Sequence, residues 1–285
     1  MGKLSGKEEL FRDIVEGYTI KGAYEKWENY RQRITDYLIQ YTIPGKTIAI
    51  LGVGEANDID LKRLYAHIGN LTLVDKNIAA IKNAIVKYDL VDKPNIKVVE
   101  KDFVGITDDE YKDIISICWQ DLKKMKTMFS PIVTGPKVVN RMNELYEKVN
   151  SKDVDLGISP HDYIVSIGLH SQLNGFIEHI WDTFMRGTGK SYTKISERAL
   201  QQNNIFIPRI CTAIEDMTID RLFVGVETLE VEKQSAVQGA QQTIQYFKDT
   251  MTEEEISNET LVIYQDVWNF TDSVTYNMAI FNRKK

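Results

Sequence analysis

Cysteine is scarce in this chain. Of 285 residues, two are cysteine, Cys118 and Cys211, far apart in stretches that read as helix. No C-x-x-C pair and no Cys/His cluster occurs, which excludes a disulfide framework and suits a reducing compartment. Positive charge is also in deficit, with 35 Lys and Arg against 41 Asp and Glu and a net charge of −6. A duplex binder carries a basic face, so this balance argues against a nucleic-acid substrate. Long apolar runs are missing too. No stretch approaches the roughly 18 residues of a membrane span, and the opening MGKLSGKEELFRDIVEGY is too polar for a secretory segment. Met1-Gly2 begins like a myristoylation signal, but Ser5 comes one place early for its usual hydroxyl. The expectation is a cytoplasmic protein without a membrane partner. Internal repeats and low-complexity segments are absent.

Hydrophobic residues make up 43% and charged residues 27% of the chain, enough for a packed core over this length. Residues 7–40 read as helices, with Leu10, Ile14, Tyr18, Tyr24, Trp27, Tyr30, Ile34 and Leu38 at three- and four-residue steps. Residues 1–45 are therefore expected to form a helical cap. Its aromatics either scaffold the core or close a pocket. From Lys46 short apolar strands alternate with helices: strands at 47–51, 71–74, 96–99, 163–167 and 222–231, helices at 58–68 and 78–88. That alternation implies a parallel sheet with right-handed crossovers. Residues 261–268 and 274–281 read as a closing antiparallel hairpin. Two helical stretches, 108–128 and 136–150, exceed a single crossover and mark an insertion at about 107–155. Further helices are expected at 173–184, 193–217 (with Pro208 a kink or break) and 235–250. The expected architecture is an α/β, mostly parallel seven-stranded sheet over residues 46–285.

The most informative stretch is Thr47–Leu61, TIAILGVGEANDIDL. A buried strand ends in Gly52-Val53-Gly54, and a polar segment leads into a helix. Such a turn brings backbone close to a nucleotide-like ligand. A dinucleotide fingerprint needs a third glycine where Asn57 stands, to let helix and strand pack closely beneath a pyrophosphate. A phosphate-binding loop fails as well, since no Gly-Lys-Ser/Thr closes the turn; Gly189-Lys190-Ser191 lies elsewhere. An adenosine ligand without phosphates asks less of the turn.

The segment resembles motif I of class I S-adenosylmethionine-dependent methyltransferases, acidic-x-G-x-G-x-G. Within that superfamily it is most similar to uncharacterised bacterial members with G-x-G-x-x-N-D-x-D-L, here Gly52 to Leu61. Ile50 replaces the acid and Ala56 the third glycine. In the superfamily that acid organises the methionine part of the cofactor, and Asn57, Asp58 or Glu55 is the available substitute here. The resemblance spans roughly residues 46–281. It implies a Rossmann-like methyltransferase fold, S-adenosyl-L-methionine as cofactor and methyl transfer to a small-molecule acceptor. It further implies that Gly52, Val53, Gly54 and Asn57 cradle the cofactor. Asp75, with Lys76, ends the second strand where a carboxylate takes the ribose hydroxyls. Asp102 and Phe103 follow the third strand, at the adenine position. Ser166 and Gly168 end the fourth strand beside the transferred methyl.

Each site residue has a plainer reading. Asp75 and Asp102 suit turns or helix caps, the two glycines suit any tight turn, and Phe103 suits a core. His170, just past the fourth strand, is the candidate base for an acceptor that must lose a proton; alternatively it is a buried loop imidazole or a substrate contact. His179 is expected to be structural. Arg186 and Tyr192 are weak candidates for acceptor contact. Glu227 is either a crevice carboxylate or a surface strand residue. No metal-binding cluster and no Asn-Pro-Pro-Tyr motif marks the acceptor. Alternatives to methyl transfer are an aminopropyl or aminocarboxypropyl transferase, a catalytically inactive cofactor-binding or regulatory protein of the same fold, and a nicotinamide enzyme. Nothing in the residues sets the oligomeric state.

Overall fold

Apolar residues on every position of the first strand require cover on both faces, and the structure supplies it. In the computed structural model, residues 5–17, 20–125, 130–186, 188 and 190–285 are described. The expected aromatic Tyr18 and the glycines 187 and 189 lie outside them. The helices are α1 Ser5–Glu16, α2 Ala23–Lys26, α3 Glu28–Gln40, α4 Leu61–Ile68, α5 Ile78–Lys87, α6 Asp108–Met125, α7 Pro131–Asn150, α8 Phe176–Met185, α9 Lys194–Met217, α10 Gln238–Thr250 and α11 Glu253–Ser257. The strands are β1 Thr47–Leu51, β2 Asn70–Asp75, β3 Ile96–Glu100, β4 His161–Ile167, β5 Thr218–Glu230, β6 Ser235–Ala236, β7 Leu261–Asn269 and β8 Thr275–Lys284.

The sheet runs β3-β2-β1-β4-β5-β8-β7, with the two-residue β6 paired to β5. β1 lies between β2 and β4, parallel to both, with Leu51 opposite Val74 and Ser166. β3 and β5 continue the parallel pairing outward. β8 runs antiparallel to β5, and β7 antiparallel to β8. A parallel sheet whose chain order switches sides at β1 and which ends in a C-terminal antiparallel hairpin is a Rossmann-like α/β fold. Its crevice opens at the carboxyl ends of β1 and β4, where the chain order switches sides.

The chain divides into two units. The sheet unit comprises residues 22–103, 154–171 and 207–285; the helical unit comprises 1–21, 104–153 and 172–206. The segment expected as one cap over 1–45 is thus shared out: α1 falls in the helical unit, α2 and α3 in the sheet unit. The expected insertion at 107–155 is joined in its unit by residues 172–206. Phe176 explains the grouping, since its ring meets Phe11 edge-on at 6.2 Å and Tyr111 at 4.8 Å. Paired amides of Asn150 and Gln202 (3.1 and 2.8 Å) tie α7 to α9.

Several helices differ from expectation. α4 begins at Leu61, not Asp58, because the Asp60 carboxylate accepts the Arg63 N–H at 3.0 Å and caps the helix there. α7 starts at Pro131, in the first turn where proline lacks nothing the helix needs, and continues through Gly135-Pro136. Gly135 faces the Tyr192 ring so closely that a Cβ would collide with it. α9 continues through Pro208. α11 was not anticipated, although Thr252 and Glu255 form a capping box that the sequence spells out.

One backbone contact holds α10 to the loop after β4. A Cβ on Gly239 would run into the Ser171 carbonyl oxygen. Gly239→Ala is expected to lower stability by about 1–3 kcal/mol through overpacking, read as an earlier midpoint in urea with an unchanged slope.

Candidate functional site

The turn after β1 is built from positive-φ backbone. Gly52 has φ 70° and Gly54 φ 48°, and Ala56 follows at 50°. Two glycines there avoid the Cβ clash that L-residues meet in this region. The Gly52 and Val53 N–H groups both donate to the Val74 carbonyl, at 2.8 and 3.2 Å. A Cβ on Gly52 would stand 2.8 Å from Leu169 Cδ1, whereas one on Gly54 would meet nothing within 4 Å. The turn is therefore closed by the loop after β4 at its first glycine and open at its second.

Asp75 fixes that geometry. Its Oδ2 accepts the Gly54 N–H at 2.8 Å and its Oδ1 the Asn77 N–H at 2.7 Å. Each carboxylate oxygen has a further lone pair, so the group can still receive a diol at the edge of the open turn. Beside it, Lys76 Nζ pairs with Asp102 Oδ2 at 3.1 Å, and Phe103 is buried. Asp75, Lys76, Asp102 and Phe103 thus lie at the ends of β2 and β3, on one side of the crevice.

The segment following the glycines is held from outside. Arg31, buried on α3, donates to the Asn57 carbonyl at 3.0 Å and to the Tyr24 carbonyl at 2.6 Å. Lys87 Nζ, at the end of α5, donates to the Glu55 carbonyl and to Asn57 Oδ1, both at 2.7 Å. The Asn57 side chain is therefore engaged by Lys87. Ile50 is 2% exposed within β1, so the position that carries an acid in the resembling family is pure core.

On the β4 side, Ser166 is fully buried with Oγ unpartnered. Gly168 has φ 66°. The His170 ring is 0% exposed. Its Nδ1 meets Thr243 Oγ1 of α10 at 2.9 Å, with Cys211 Sγ at 3.9 Å. Nε2 has no partner, and burial pushes the imidazole down to about 4. It is a neutral ring enclosed by α9 and α10. In the helical unit, burial likewise lowers His179 below the usual histidine range, with Arg186 adding to the effect.

A cluster that periodicity did not announce lies next to Gly168. Glu227 of β5 is 4% exposed. A Cβ on Gly168 would stand 3.6 Å from Glu227 Oε1 and 3.8 Å from the Trp268 ring of β7. Trp268 in turn stacks on Tyr30 of α3 at 5.1 Å and meets Trp27 edge-on at 4.6 Å. Ser171 bonds the Glu227 carboxyl, but Oε2 has no partner. The Tyr30 hydroxyl and Trp268 Nε1 are also buried without partners. Burial raises Glu227, and burial together with Asp58 and Glu227 raises Tyr30 well above the usual phenol range. Asp58, half-buried at the end of the glycine segment, completes the group. Burial lifts its carboxyl to about 6 against the pull of Arg31 and Lys87, and Glu227 lifts it further. The sequence signals available were a carboxylate in an apolar strand and aromatics at both ends of the chain; neither fixes a pairing. Among the described residues, no group of three or more His, Cys, Asp or Glu is placed to hold a metal ion.

No protein-family model matches this chain, and no curated protein matches it. Among solved structures, it is similar to the N-methyltransferase NodS from Bradyrhizobium japonicum WM9 in complex with S-adenosyl-L-homocysteine. The identity is 11%, covering 96% of this chain and 98% of that one, with a TM-score of 0.42. It is also similar to the magnesium protoporphyrin IX methyltransferase ChlM from Synechocystis PCC 6803 with bound S-adenosyl-L-homocysteine, at 8% identity over 97% and 94% and a TM-score of 0.39. The precorrin-6y C5,15-methyltransferase from Geobacter metallireducens GS-15 shows 7% identity over 88% and 89%, with a TM-score of 0.40. The fold assignment rests on the strand order, and these likenesses carry no residue role.

Asp58 makes a test of the crevice electrostatics. Its carboxyl is raised from 3.8 to about 6 in the fold, so the native state binds the proton more tightly than the unfolded chain does. Stability from this group is full below about pH 4 and declines as pH rises through about 6. Asp58→Asn removes that dependence. The stability of the wild type relative to the variant is expected to fall between pH 4 and 6 in parallel urea titrations; parallel curves would refute the burial of this carboxyl.

Proposed function

We propose that the chain is a methyltransferase that uses S-adenosyl-L-methionine and a small-molecule acceptor. The observation that carries this reading is the Gly54–Asp75 hydrogen bond at the switch point of the sheet. It places a carboxylate with spare lone pairs beside a positive-φ turn with open space above Gly54. A nucleoside without phosphates fits that pair. Its ribose hydroxyls meet Asp75, and its sugar lies against Gly52, Val53 and Gly54. Asp102 and Phe103 at the end of β3 serve the adenine, with Lys76 holding Asp102 by their ion pair. Ser166 and Gly168 bound the methyl side.

The cofactor supplies a methyl group activated on a sulfonium; the protein supplies position and charge. Asn57 serves by holding the turn through Lys87. His170 is read as a support of the loop after β4, because an enclosed, neutral ring bonded to Thr243 has no path to an acceptor. The Glu227 carboxyl, with Oε2 unpartnered, leaves proton acceptance to the β5 side of the crevice.

Calorimetry with S-adenosylmethionine, S-adenosylhomocysteine and NAD tests the reading directly. The two sulfur compounds are expected to bind at sub-millimolar concentrations and NAD not to bind; the reverse order overturns it. Asp75→Ala is expected to weaken S-adenosylhomocysteine binding by about 1–3 kcal/mol. His170→Ala is expected to lower the urea midpoint while leaving that affinity unchanged, and a selective loss of turnover in a stable variant would restore the ring to catalysis.

A further inference from the structure

Glu227 presents a buried carboxyl beside Gly168 and Trp268 and forms no ion pair among the described residues, whereas Asp58 is pulled toward ionisation by Arg31 and Lys87. Arg31 and Lys87 also donate to the carbonyls of Tyr24, Glu55 and Asn57 and to Asn57 Oδ1. Lys76 is paired with Asp102 at the other end of the crevice. Glu227 Oε2 and the Tyr30 hydroxyl are buried acceptors with nothing to accept, at 4% and 3% residue exposure. Such atoms destabilise the fold when left unserved. Around them stand the stacked rings of Tyr30 and Trp268, with Trp27 behind. Carboxylate, phenol oxygen and aromatic face together match one chemistry, a protonated amine. An alkylammonium brings N–H donors for the oxygens and positive charge for the rings.

We propose that Glu227, walled by Tyr30 and Trp268, binds the protonated amino group of the methyl acceptor. The acceptor class is thereby an alkylamine. This rests on the methyltransferase reading above. An ammonium group reaches this crevice from two sources, the acceptor or the amino-acid tail of the cofactor, and position favours the acceptor. The groups that suit the nucleoside, Asp75 and Asp102, end β2 and β3. Glu227 stands on the opposite side of β1, on β5 beyond β4, against Gly168. An ammonium paired with it would offset the desolvation of a glutamate whose Oε2 is buried without a partner in an otherwise apolar strand interior.

The probe is n-butylammonium, with n-butanol as its uncharged counterpart, titrated by calorimetry into the protein saturated with S-adenosylhomocysteine. The wild type is expected to prefer the ammonium by about tenfold or more. Glu227→Gln is expected to erase that preference while S-adenosylhomocysteine binds within about twofold of wild type. Absence of the preference in the wild type overturns the proposal, as does its survival in Glu227→Gln. A tenfold loss of S-adenosylhomocysteine affinity in Glu227→Gln with the preference intact assigns the carboxyl to the cofactor's own ammonium and also overturns it. Failure of S-adenosylhomocysteine to bind the wild type at all defeats the methyltransferase reading instead. If circular dichroism shows Glu227→Gln unfolded, Tyr30→Phe takes its place and is expected to lower the preference; an undiminished preference overturns the proposal.

Discussion

What the crevice offers depends on how the end of β1 is tied to the end of β2. The Val74 carbonyl takes the N–H groups of Gly52 and Val53, and the Asp75 carboxylate takes those of Gly54 and Asn77. These four bonds turn the chain sharply over the neighbouring strand. The turn needs positive φ at Gly52 and Gly54, and it throws residues 55–58 forward, where Arg31 and Lys87 catch their carbonyls. Cap, turn and second strand are thereby one hydrogen-bonded body. Loss of Asp75 would release the turn as well as any ligand held by its free lone pairs.

The two sides of β1 treat carboxylates differently. On the β2–β3 side, Asp75 is bonded to backbone N–H groups and Asp102 to Lys76. On the β5 side, Glu227 lies among Trp268, Tyr30 and apolar strand residues, and burial raises it. Asp58, carried forward by the turn, faces both settings: Arg31 and Lys87 pull it toward ionisation while burial and Glu227 push it away. A ligand that lays neutral hydroxyls against the first side and a cation against the second would satisfy both. The absence of an acid at Ile50 fits this division, since a charge within β1 would have to be buried between two strands without a partner.

Most of the sheet was legible because its signals are local. Short apolar runs ending in glycine or aspartate marked four of the parallel strands, a longer apolar run marked β5, and the boundary of α4 moved to where the Asp60 cap sets it. Asp75 and Asp102 stood out for the same reason: they end strands. The carboxyl–aromatic cluster was not legible, because it is assembled from Tyr30, Asp58, Glu227 and Trp268, drawn from the two ends and the middle of the chain. Trp27 Nε1 donates to the Phe270 carbonyl across 243 residues, and periodicity cannot announce such a contact. The division of residues 1–45 between two units was hidden likewise, since α1 and α3 have the same helical pattern and differ only in what they pack against.

The cluster also has a thermodynamic consequence. Buried, unpartnered polar atoms at Tyr30, Ser166, Glu227 and Trp268 are a standing cost to the fold, and a core of the same volume without them would be more stable. The surrounding aromatic packing is dense, so the cost is not relieved by local collapse. A ligand that supplies the missing donors and charge recovers that free energy on binding, and by mass action raises the stability of the folded state. Stability that the fold forgoes at these atoms is thus affinity for a ligand that meets them.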